Sequence, residues 1–144
     1  VPVLIDAQAN LPSSFETRAA RLDNAARLQA AGVTVAITGS RDFNNVRQAR
    51  LDAGLAVANG LPYQAALATL TANPATIWGL RDVGTLEVGK TADIVVWNGD
   101  PLETTSWPTA VFIDGVQQPE NVRAFQLRDR YAGTSANGYP PAYR

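Results

Sequence analysis

The chain has no histidine, no cysteine and no methionine among its 144 residues. Without cysteine there is no disulfide, no thiolate metal site and no cysteine nucleophile, and the redox compartment stays open because either compartment tolerates a cysteine-free protein. Without histidine, neither a Ser-His-Asp triad nor a histidine-rich zinc site can be assembled from this chain, since imidazole is the usual base and transition-metal ligand. Such chemistry must borrow residues from elsewhere. The start at Val1 and the missing methionine lead us to expect a fragment or a processed subunit.

An excess of charge of either sign is also lacking. Twelve Lys and Arg stand against thirteen Asp and Glu, which leaves no broad basic surface to neutralise phosphates or anionic lipid. Neither nucleic acid nor a membrane is an expected partner. No apolar run approaches the roughly 20 residues that cross a bilayer, and Val1 does not open a charged n-region followed by an apolar h-region. We expect a soluble chain, with cytoplasm and periplasm both open. Hydrophobic residues make up 46% of it, enough for one ordinary core or parts of two modules. No internal repeat and no low-complexity tract is present.

What is there reads first as strand, helix, strand. VPVLID at 1–6 is an apolar run suited to a buried strand with Asp6 at its end, and the following AQANLP is a loop that carries Asn10. Ser13 and Glu16 have capping-box spacing, and Phe15, Ala19, Leu22 and Ala26 continue at helical steps to a stop at Gly32. VTVAI at 33–37 is β-branched and breaks at Thr38-Gly39-Ser40. Alanine and leucine dominate from about 44 to 59, and Pro62 opens a further helix to about Thr71, with Asn73-Pro74 ending or restarting it.

At Asp82 the composition turns to glycine-punctuated β-branched segments, DIVVW at 93–97 and VFIDGVQQ at 111–118. Asp114-Gly115 between two apolar runs predicts a type I′ hairpin, since both residues accept positive φ. Residues 121–131 suit a last helix, and the remaining AGTSANGYPPAYR reads as a tail.

Gly84–Thr91, GTLEVGKT, matches the phosphate-loop pattern. That loop needs a buried strand before it and a helix starting at Lys-Thr, so that amides converge on phosphate. WGLRDV is too polar for the strand, and ADIVVW leaves no room for the helix. A turn at Gly89-Lys90 is the better reading.

The run from Thr71 to Pro101 resembles the closing segment of amidohydrolases of the imidazolonepropionase-like and aminoacylase-like group. The resemblance rests on Asn73-Pro74-Ala75, Gly84-Thr85-Leu86, Gly89-Lys90, Ala92-Asp93 and Gly99-Asp100-Pro101, and VFIDG at 111–115 extends it. It implies an α/β fold: the C-terminal part of a TIM-like barrel over 1–81, strands of a small β-sandwich over 82–118, and a C-terminal helix and tail over 119–144. Most of these residues have structural work, with Asp93 placed to accept hydrogen bonds from nearby amides.

In a TIM barrel the active site lies at the C-terminal strand ends, which points to Asp6 and to the loop from Thr38. The family places a metal-binding or proton-transferring aspartate directly after the last barrel strand. Here the stretch reads Ile37-Thr38-Gly39-Ser40-Arg41-Asp42, so Ser40 stands about where that aspartate belongs and Asp42 is two residues on. The resemblance therefore implies Asp42 as the catalytic carboxylate and Asp6, Asn10, Ser40, Asn45 and Arg47 as substrate-side residues. Turn formation for Asp6 and Asn10, a solvated loop or helix cap for Asp42, a helix cap for Asn45 and a surface position for Arg47 are the plainer roles. Asn44 belongs to the same loop.

Two functions follow. One is the C-terminal portion of a hydrolase of amide, cyclic amide or related C–N bonds, with water activated by a divalent metal, zinc first among the candidates. No metal ligand is assigned in this chain, which is not expected to bind the metal or to be active alone. The histidines would come from an upstream segment or companion chain that completes the barrel. The other is a noncatalytic subunit or degenerate homologue acting as a scaffold or binding module. Half a barrel exposes a sheet edge and an apolar face, so both imply association with more polypeptide, and a homo-oligomer is compatible with either.

Overall fold

The computed structural model describes residues 1–39, 48–119 and 123–132. Val3–Ile5 forms β1, Asn24–Ala30 forms α1 and Val35–Ile37 forms β2. The strands pair in parallel, Val3 with Val35, Leu4 with Ala36 and Ile5 with Ile37, so the first third of the chain is the βαβ unit read from the sequence. All three residues of β2 are buried, as a parallel strand covered on both faces requires.

The helix between them is shorter than the spacing predicts. Residues 13–22 fold into turns, and α1 starts only at Asn24. The Thr17 hydroxyl accepts from the Ser14 amide at 2.9 Å and donates to the Ser14 carbonyl, so short polar side chains take the hydrogen bonds a first helical turn would use. The helix does end at Gly32, where the Val33 amide returns to the Leu28 carbonyl at 3.0 Å.

Three helices follow, α2 at Ala49–Ala58, α3 at Tyr63–Leu70 and α4 at Ala72–Trp78. Pro62 is the N-cap of α3 and not its first residue, and Asn73-Pro74 restarts the helix within α4. Asn73 donates from Nδ2 to the Val35 carbonyl at 2.7 Å, satisfying a backbone acceptor of β2. The core joins Ile5, Val35 and Ile37 to Ala25, Ala53, Ala56, Leu61 and Ala66. Its alanines are what let short helices pack closely on so small a sheet.

Residues 84–91 close on themselves. The Lys90 amide donates to the Glu87 carbonyl, the Thr91 amide donates to the Asp82 carbonyl, and Lys90 Nζ reaches Thr85 and Glu87. The turn centres on Val88-Gly89, one residue earlier than read from the sequence, and β3 begins at Ile94 with no helix between. The phosphate-loop pattern is thus a turn.

β3 (Ile94–Trp97), β4 (Pro108–Ile113) and β5 (Val116–Gln117) form an antiparallel sheet in that order. Asp114 (φ 50°) and Gly115 (φ 76°) make the expected hairpin turn. Asp93 Oδ1 accepts from the Asp114 amide at 2.8 Å, so this aspartate pins the turn to the start of β3. A last helix, α5, spans Arg123–Ala132.

Sheet and helices meet at α2. The Arg50 guanidinium donates to the carbonyls of Pro101 (2.8 Å), Glu103 (2.6 Å) and Ser106 (3.3 Å) and lies 5.1 Å from the Trp97 ring centroid. Leu102 enters the helical core at 6% exposure, and Tyr63 donates to Asp100 at 3.0 Å. Among the described residues no helix is long and apolar enough to cross a membrane.

Candidate functional site

The C-terminal ends of β1 and β2 lie side by side, and the pairing continues one step beyond them through the Thr38 amide, 2.9 Å from the Ile5 carbonyl. Parallel strands bring the loops that leave them to one end of the sheet, where α/β folds gather polar side chains. Asp6 leaves β1 there. Its Oδ1 accepts from the amides of Gln8 (3.1 Å) and Ala9 (3.0 Å), so one oxygen shapes the loop as turn-forming aspartates do.

Asn10 lies in the same loop, and its Nδ2 is buried without a hydrogen-bond partner. Ser40, Asp42, Asn45 and Arg47, with Asn44, lie outside the described residues. Asp6 and Asn10 are therefore the sequence-derived site residues whose positions are described.

A third polar residue at this end went unread in the sequence. Asp52 belongs to the first turn of α2, the helix that follows the loop from β2, and is only 4% exposed. Its Oδ2 has no hydrogen-bond partner. Burial, and secondarily the nearby Asp6 carboxylate, push the Asp52 carboxyl above the usual aspartate range. Both effects disfavour the charged form of a carboxyl. The one signal in the sequence was an isolated acid among LDAGLAVA, four residues before the buried Ala56.

Asp6 and Asp52 thus differ in setting, one hydrogen-bonded and half-buried, the other buried, with its carboxyl raised by burial and by Asp6. Such pairs suit proton transfer. Among the described residues no group of three or more His, Cys, Asp or Glu converges.

A groove of about 890 Å³ opens elsewhere, between α3, α4 and β3, lined by Leu67, Pro74, Leu80, Leu86 and Val95 among others. None of Asp6, Asn10 or Asp52 lines it. Its walls are mainly apolar, and its carboxylate, Asp93, is already engaged by the Asp114 amide.

A family model described as the amidohydrolase family matches residues 16–117. The chain is 39% identical over 88 residues to amidohydrolase tasK of Hapsidospora irregularis, covering 60% of this chain and 9% of that protein. It is 40% identical over 100 residues to a 5-methylthioadenosine/S-adenosylhomocysteine deaminase of Desulforudis audaxviator (strain MP104C), covering 62% and 23%. The crystal structure of an amidohydrolase from Thermotoga maritima MSB8 superimposes with a TM-score of 0.74 at 33% identity, over 81% of this chain and 31% of that one. The chain spans under a third of the length of each.

Proposed function

The chain belongs to the amidohydrolase family, and from that membership we propose that it forms the C-terminal portion of a hydrolase of amide, cyclic amide or related C–N bonds. The observation that supports this reading is the pair of Asp6 and Asp52 at the C-terminal end of the parallel strands β1 and β2, with Asn10 in the loop that Asp6 opens. β1, α1, β2 and α2 then belong to the end of a TIM-like barrel, and β3–β5 to a small β-sandwich beside it.

In the complete enzyme a divalent metal would supply the activated water. Its histidine ligands come from polypeptide beyond these residues, because the chain has none. The residues present handle the substrate side. Asp6 fixes the loop that carries Asn10, and Asp52 holds or passes a proton at its unpaired Oδ2.

The test is the intact mass and metal content of native material, followed by assay of cyclic amide hydrolysis. A longer or companion polypeptide with stoichiometric metal, and hydrolysis that falls at least tenfold in Asp52→Asn, supports the proposal. A metal-free 15.3 kDa species that is soluble alone and inert would sink it and leave a scaffold or binding module.

A further inference from the structure

The first turn of α2 has two sides with different duties. Residues two apart on a helix point roughly 200° from one another, so Arg50 and Asp52 face away from each other across the axis. Asp52 is buried near Asp6. Arg50 reaches outward into a cage of three backbone carbonyls, those of Pro101, Glu103 and Ser106, closed on one side by the Trp97 ring. One turn on, on Arg50's side, α2 presents Gly54, where an added Cβ would lie 2.6 Å from the Leu102 carbonyl oxygen. The 100–106 segment is therefore seated directly on the helix that carries Asp52.

We propose that Arg50 is the positioning residue of the strand-end site: by gripping the 100–106 segment it fixes the rotation of α2 and keeps Asp52 buried beside Asp6. Planarity is what qualifies arginine for this place. A guanidinium directs several N–H donors in one plane and stacks on an aromatic face together, whereas an ammonium offers a point charge. Guanidinium donors to backbone carbonyls form charge-assisted hydrogen bonds, which hold geometry better than neutral ones. The inference rests on Asp52 belonging to the proposed site but on none of the chemistry assigned to it.

Among the described residues the groups that face Asp52 are few. Asp6 acts on it from the end of β1, β2 and α3 carry no Asp, Glu, Lys or Arg, and neither Arg27 of α1 nor Tyr63 of α3 contributes to its shift. A change in its titration after substitution of Arg50 thus reports its burial and its approach to Asp6.

The experiment is a carboxyl ¹³C NMR titration of Asp52 in the full chain, with thermal melts and circular dichroism to establish folding. In the parent chain the Asp52 midpoint should lie above the ordinary aspartate range. In folded Arg50→Ala it should move down towards that range, Arg50→Lys should fall between the two, and Gly54→Ala, which lifts the 100–106 segment from the same face, should reproduce the direction. A folded Arg50→Ala chain that melts earlier but titrates unchanged at Asp52 would overturn the proposal and leave Arg50 as a tie between sheet and helices. Should Arg50→Ala not fold, the folded Arg50→Lys chain decides by the same criterion. The readout needs neither metal nor substrate, so it can fail while the hydrolase reading stands, or hold while that reading fails.

Discussion

Asp52 spends stability on its position. Its folded pKa is raised by burial and by Asp6, so the folded state binds more protons than the unfolded one between the unfolded aspartate value and the folded value. The favourable contribution of the protonated form is complete below the unfolded value and is lost as pH rises through the folded one. Asp52→Asn removes that dependence. It should flatten the pH profile of urea unfolding across this window and leave the chain at least as stable as the parent at neutral pH, while abolishing any proton transfer. Asn10→Leu, which removes an unpaired buried donor, should likewise cost little stability in urea unfolding. Asp6 was legible as a strand-end residue because an apolar run stops there. Asp52 was not, since a lone acid in an alanine-rich helix becomes notable only once Ala53 and Ala56 are known to be buried.

Elements with strong local chemistry were read correctly. β-branched runs gave β2 and β3, and the Asp114-Gly115 pair gave the hairpin, because in both cases the residues themselves restrict the backbone. The first half of the expected long helix failed because serine and threonine hydroxyls at 13–17 compete for backbone groups. The Asn73-Pro74-Ala75 motif now has a physical sense, since Asn73 caps a carbonyl of β2 from α4. Asn73→Ala leaves that half-buried carbonyl unpaired and should cost about 1–3 kcal/mol in chemical denaturation. Gly84 is a second element-level constraint, at φ 90° with an added Cβ meeting the Ala75 Cβ at 2.7 Å and the Thr71 oxygen at 2.9 Å. Gly84→Ala should destabilise by about 1–3 kcal/mol through overpacking, with added strain from the positive φ, detectable as a lower urea midpoint.

At the scale of the whole molecule, the closing-segment motifs led to the family, while the balance of exposed and buried surface could be learned only from the fold. Trp78, Leu80, Leu86, Val88 and Val95 are 44–107% exposed around or beside the apolar groove, and apolar side chains grouped in this way favour association. The chain on its own should bind the dye ANS and associate with rising concentration in sedimentation velocity runs, and Val95→Lys should reduce both.

Leu102 and Arg50 tie sheet to helices across residues 84–91, a connection whose Leu86 and Val88 stand 82% and 107% exposed. The composition shift at Asp82 therefore marks a change of architecture, and these contacts should make the two sides of it unfold together. A protease nick within that loop should yield two pieces that co-elute without denaturant and separate in urea, and the pieces, expressed apart, should complement one another on mixing.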